Sequence, residues 1–98
     1  MAIHIDPEAR EVAALRRVAH WPGAEVLEVG CGDGRLTLRL AGLGAQVTAI
    51  DPEPSLIRKA RRGLPKRFSS QVRYSVGRSG DLRFRSSSFH IVVFAWSL

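Results

Sequence analysis

The 98-residue sequence predicts an α/β fold, an open parallel sheet whose strands are joined by crossover helices. Three observations predict it. Short apolar runs alternate along the chain with amphipathic stretches of helical period, the order that parallel strands covered on both faces require. Glycines cluster directly after the first run, in Gly30-Cys31-Gly32-Asp33-Gly34, where a strand hands over to a helix. The connections that follow are short, as expected of parallel strands joined by right-handed crossovers.

Each element has a local cause. Asp6-Pro7-Glu8 reads as a helix start: Asp6 caps free amides, Pro7 suits the first turn and Glu8 favours the positive end of the dipole. That helix is expected to run to about His20, with Val12, Leu15 and Val18 beside Ala19 as its apolar stripe, and to end at Trp21-Pro22-Gly23. Ala24 to Val29 is the first strand. Arg35 to Leu43 returns as an amphipathic helix closed by Gly42 or Gly44, and Gln46 to Ile50 forms the second strand, with Asp51 at its end. Pro52-Glu53-Pro54-Ser55 opens a basic helix that runs to about Arg62 and stops at Gly63-Leu64-Pro65. Val72 to Val76 is the third strand. After a loop rich in Ser, Arg and Gly, Phe89 to Ala95 is apolar almost throughout, which suits a central strand.

The glycine spacing separates two kinds of cofactor site. A dinucleotide site wants Gly-x-Gly-x-x-Gly, whose third glycine would fall at position 35, but that residue is Arg35 and the glycine stands at Gly34. The pattern is acid-x-Gly-x-Gly-x-Gly, running from Glu28 to Gly34. With Asp51 closing Val47-Thr48-Ala49-Ile50, and with Val76-Gly77-Arg78-Ser79-Gly80-Asp81 leading to Phe89-His90-Ile91-Val92-Val93, the chain resembles the class I S-adenosylmethionine-dependent methyltransferases, in their small-molecule (type 11) branch. The resemblance runs from about Val26 to Leu98. It implies a Rossmann-like sheet truncated here after its fourth strand, since a complete domain of this class has seven strands. On this reading residues 1–98 are the N-terminal part of one methyltransferase domain, with a leading helix over 1–23 and a cofactor-binding half over 24–98.

The resemblance also assigns roles. Backbone groups of Gly30, Cys31 and Gly32 approach the methionine end of S-adenosylmethionine, and Glu28 balances its ammonium directly or through water. Asp51, followed by Pro52, offers two carboxylate oxygens to the ribose hydroxyls, with helix capping as its structural alternative. Adenine recognition departs from the pattern. The family places Asp-Ala after the glycine that ends strand three, and this chain has Arg78-Ser79; arginine accepts no hydrogen bond, which leaves the Ser79 amide and Asp81 to serve. The family's Phe-Asp pair before strand four is Phe89-His90, where the histidine reads as a structural substitution rather than a base. Acceptor-side residues normally follow strand four, so no catalytic residue is named. Cys31 reads as a small residue in a tight turn rather than a nucleophile. His20 and Trp21 read as a helix end and a half-buried aromatic, with ligand contact the lesser alternative.

Composition bounds the remaining classes. One cysteine excludes an intrachain disulfide framework and fits a reducing compartment. Met1 to Asp6 lacks the basic start and apolar core of a leader, and no run is long enough to span a bilayer, so a cytoplasmic protein without membrane attachment or metal is expected. The net charge is +6, and Arg58 to Arg85 holds ten basic residues against Asp81 alone. Thirteen of the fifteen basic residues are arginine, a bias across the whole chain that favours a solvated basic surface over a nucleic-acid footprint. The leading reading is the cofactor-binding portion of a methyltransferase with a small-molecule acceptor. The alternative is a noncatalytic half-domain that binds a protein or nucleic acid through its basic face, and a nicotinamide-dependent oxidoreductase comes third. Without a fifth strand, Phe89 to Ala95 should present an unpaired edge, and self-association or pairing with the remainder of the domain is expected.

Overall fold

A computed structural model describes residues 1–4, 12–78 and 88–95, with side chains from residue 15 onward in the leading helix. The elements are β1 (Ala2–His4), α1 (Val12–Val18), β2 (Glu25–Val29), α2 (Arg35–Gly42), β3 (Gln46–Asp51), α3 (Pro54–Arg62), a 3₁₀ turn at Lys66–Phe68, β4 (Val72–Val76) and β5 (Ile91–Phe94). They form one five-stranded sheet in the order β1-β5-β2-β3-β4, and every pairing is parallel. The helix start at Asp6-Pro7-Glu8, the loop residues Ser79 and Asp81, and Trp96 lie outside the described residues.

The chain steps from β2 through α2 to β3 and through α3 to β4, then returns to place β5 on the other side of β2. This reversal between β2 and β5 is the switch point at which open α/β sheets leave a crevice beyond the carboxyl ends of their strands. Residues from all three helices, among them Leu15, Leu36, Leu40, Ala41, Ile57 and Ala60, share the main core with Val26, Val47, Ala49, Val72, Ile91 and Val93. Leu27, Val29 and Ile50 form a smaller cluster with the partly buried Phe89, Val92 and Phe94. Strand alternation puts that cluster on the opposite face, and no described helix contributes to it.

The N-terminus differs from the sequence reading. Ala2–His4 forms a strand and not part of a leading helix, and it pairs with β5 along the edge expected to be open: Ala2 lies opposite Val92, Ile3 opposite Val93 and His4 opposite Phe94. Val92 N donates to Met1 O at 2.6 Å, the Met1 amino group donates to His90 O at 3.0 Å, and the His4 ring stacks on Phe94 with centroids 4.8 Å apart. Edge pairing satisfies backbone groups of a central strand that would otherwise be left open. Three residues carry no readable period, so sequence alone does not reveal the strand.

Two side chains of the leading segment also depart from expectation. Val18 is 49% exposed and leaves the apolar stripe, while Trp21 is buried in the core, its indole Nε1 donating to Leu15 O at 2.7 Å and so satisfying a carbonyl of α1. His90 is structural, as expected. Its Nδ1 accepts from Glu25 N and its own amide donates to Glu25 O, both at 2.8 Å, fixing the start of β2 against β5.

Candidate functional site

The glycine loop is shaped by backbone conformation that side chains resist. Gly30, Gly32 and Gly34 have φ of 81°, 57° and 92°, in the left-handed region. The Gly30 and Cys31 amides both donate to Ile50 O, at 2.8 and 3.0 Å, which ties the loop to the end of β3. Gly34 then begins α2, with its amide donating to Cys31 O at 3.0 Å. Gly32 and Gly34 are needed for different reasons. A Cβ at Gly34 would collide with the Tyr74 hydroxyl, whereas a Cβ at Gly32 would meet nothing within 4 Å. Among the described residues Gly32 therefore borders open space, and Gly34 is packed from beneath.

Asp51 stands at the end of β3, 8% exposed, and both its carboxylate oxygens hold backbone amides. Oδ2 accepts from Gly32 N and Oδ1 from Glu53 N, each at 2.9 Å. The cap of α3 is Glu53 rather than Asp51: its Oε1 accepts from Ser55 N at 3.2 Å and from Ser55 Oγ at 3.0 Å. A carboxylate offers about four lone-pair sites, so two amides leave Asp51 capacity for two further donors.

Glu28 is wholly buried on β2. Thr37 Oγ1, on α2, donates to its Oε1 at 2.5 Å, and Oε2 receives no hydrogen bond. Burial first, then the negative charge of Asp51, raises the Glu28 carboxyl to about 7, against the opposing bond from Thr37. Strand register puts Glu28 opposite Ala49 and Ala49 opposite Tyr74, so the three residues form one row on the same face. Ala49 is the small member of the row. Burial first, and then the charges of Glu28, Cys31 and Asp33, raise the Tyr74 hydroxyl to about 12, against an opposing contribution from Thr37.

Cys31 is buried in the loop, and its thiol is pushed far above its ordinary range, by burial first and then by the charges of Glu28 and Asp51. A thiol held protonated is a poor nucleophile, in line with the reading of Cys31 as a turn residue. Asp33 lies 3.8 Å from both Arg35 Nε and Lys59 Nζ. Glu28, Asp33 and Asp51 thus gather around one loop of a chain whose net charge is +6. Exposed Arg58, Lys59, Arg61, Arg62, Lys66 and Arg67 lie instead on and after α3.

Of the residues predicted from sequence, Glu28, Gly30, Cys31, Gly32, Asp51 and the exposed Pro52 converge at the carboxyl ends of β2 and β3. Ser79 and Asp81 fall outside the described residues. His20 and Trp21 do not join the site. They precede β2, at the opposite end of the sheet, where His20 lines a cavity of about 300 Å³ with Met1, Pro22, Ala24 and Ile91. Thr37 and Tyr74 were missed. The available signal was a hydroxyl on the buried stripe of α2 and a phenol inside an otherwise apolar strand.

A family model described as a methyltransferase domain matches residues 26–98. Ubiquinone biosynthesis O-methyltransferase of Xanthomonas campestris pv. campestris is 52% identical over 61 residues, 62% of this chain and 25% of that protein. The Xanthomonas oryzae pv. oryzae protein of the same name is 54% identical over 61 residues, 61% of this chain and 25% of its own length. Among solved structures, magnesium protoporphyrin IX methyltransferase from Synechocystis PCC 6803 with bound SAM is 25% identical, with a TM-score of 0.71 over 85% of this chain and 39% of that one. The PH0226 protein from Pyrococcus horikoshii OT3 is 28% identical, with a TM-score of 0.71 over 92% and 45%. The chain spans about a quarter of the length of the curated relatives it matches. No helix among the described residues is long and apolar enough to cross a membrane. With the fold, the glycine loop and the family match in agreement, the chain belongs to the methyltransferase-domain family.

Proposed function

We propose that this chain is the cofactor-binding portion of an S-adenosylmethionine-dependent methyltransferase that acts on a small-molecule acceptor. One observation carries the reading: the glycine loop is ringed by Glu28, Asp33 and Asp51, has open space over Gly32, and leaves one buried carboxyl oxygen without a donor. S-adenosylmethionine brings two positive centres, a sulfonium and an ammonium, and such a loop attracts them. The phosphates of a dinucleotide would meet Asp33 and Asp51 at a Coulombic disadvantage. The residues present therefore fit the cofactor. Gly30 and Gly32 would lie along its methionine end, Glu28 would face its ammonium, and Asp51 would hold its ribose.

When bound, the cofactor supplies an activated methyl group for in-line displacement. The chain contributes alignment, through a loop fixed to β3 by the Gly30, Cys31 and Gly32 amides. The names of the Xanthomonas relatives favour an oxygen acceptor on a small molecule. Calorimetric titration with S-adenosylmethionine, S-adenosylhomocysteine and NAD tests the reading. Saturable binding of the first two and none of NAD is expected; NAD binding alone, or no binding of any, would overturn it.

A further inference from the structure

We propose that Glu28 is a proton-exchanging positioning residue: uncharged in the free protein below neutral pH, it gives up its proton to solvent when the cofactor's ammonium arrives, so that cofactor binding releases protons. The inference rests on the function proposed above and extends it from which residue faces the ammonium to what that residue does with its proton.

The geometry leaves Glu28 few options. Its side chain is wholly buried, Thr37 serves Oε1, and Oε2 meets no donor. A buried charge without a partner is far costlier than a neutral group, so below neutral pH the carboxyl keeps a proton on Oε2 until a cation arrives. Among the described residues its surroundings supply none. The groups packed around it are Thr37 of α2, Asp51 of β3, Tyr74 of β4 and Cys31 of the loop, and β5 contributes Val93. Asp51 adds repulsion, Cys31 and Tyr74 hold their protons, and Thr37 is neutral.

The Thr37 hydroxyl fixes which oxygen is free, because it occupies Oε1 and leaves Oε2. An ammonium that reaches Oε2, directly or through water, reverses the balance. The O–H bond of Oε2 breaks, the proton passes to buffer, and the carboxylate that remains pairs with the ammonium; no electron transfer and no co-reactant is involved. The raised titration of Glu28, to about 7, places the exchange in the neutral range.

Calorimetry of S-adenosylmethionine binding in buffers of low and high ionisation enthalpy counts the protons. At pH 7 the wild-type protein should release about half of one proton more than Glu28→Gln, whose amide carries no exchangeable charge. Titration of the ligand's own amine is common to both proteins and cancels in the difference. Equal release by the two proteins overturns the inference. Should Glu28→Gln fail to fold or to bind, carbon NMR of the Glu28 carboxyl in the wild-type chain gives the answer: a neutral carboxyl at pH 6 that ionises on ligand addition supports the inference, and a carboxylate already present at pH 6 overturns it. Absence of any S-adenosylmethionine binding overturns the proposed function and this inference with it, whereas binding without Glu28-linked release overturns the inference alone.

Discussion

The Oδ2 oxygen of Asp51 holds the amide of Gly32 at 2.9 Å, joining two residues that are 19 positions apart and sit on different strand ends. The acid at the end of β3 therefore shapes the loop as well as facing the ligand crevice. Replacement by alanine frees the Gly32 and Glu53 amides together.

For Asp51→Ala we expect S-adenosylmethionine binding weaker by about 1.5 to 3 kcal/mol, roughly tenfold to a hundredfold, on the scale of hydrogen bonds to a charged group. Calorimetric affinities of the wild type and variant within a factor of two would remove Asp51 from the site.

The loop glycines should respond differently to substitution. Gly34→Ala meets the Tyr74 hydroxyl and an unfavourable φ at once, so a stability loss of roughly 2 kcal/mol or more is expected in denaturant unfolding. Adding Tyr74→Phe should recover part of it. Gly32→Val points into open space, so its main effect should fall on cofactor binding, with a smaller loss of stability from its φ of 57°. Equal effects of the two loop variants on stability and on binding would show that the loop is a plain turn.

How much of this was legible follows from the range of the interactions involved. The strand-glycine-helix handover and Asp51 are local patterns and can be read directly. Thr37 on Glu28 depends on how α2 packs on β2, and Tyr74 opposite Ala49 and Gly32 on Asp51 depend on how the strands align, neither of which periodicity supplies. Gln71 is a similar case: its Nε2 donates to Ala41 O at 2.9 Å and Ala45 O at 3.0 Å, closing the end of α2 from 30 and 26 residues away.

Burial of Glu28 should also be visible in stability. Its native titration lies near 7 against an ordinary value of 4.5, so between those values the native state binds more protons than the unfolded state, and stability falls as pH rises through that window. The full loss is on the order of 3 kcal/mol. Glu28→Gln should flatten this slope and leave the protein more stable than wild type at pH 8. Parallel unfolding curves for the two proteins from pH 5 to 8 would contradict it.

Pairing of β1 changes the expectation for association. With Ala2–His4 on the outer edge of β5, the wild-type chain has that edge covered, and the exposure first expected moves to variants that lose β1. Ile3→Pro removes a backbone donor from the strand opposite Val93. Light scattering at matched concentration should show a larger mass for this variant than for wild type. Identical masses would mean that β1 does not protect the edge.

The contact between Met1 and His90 spans 89 residues. Adjacent ladders such as β2 with β3 close loops of one helix and a turn, while β1 on β5 closes nearly the whole length of the chain and gains three residue pairs in return. Loop-closure entropy makes such a contact slow to gain and weakly held. The sheet should therefore assemble from β2 and β3 outward, with β1 docking last, and native-state hydrogen exchange should open β1 and the outer amides of β5 well before the centre of the sheet yields.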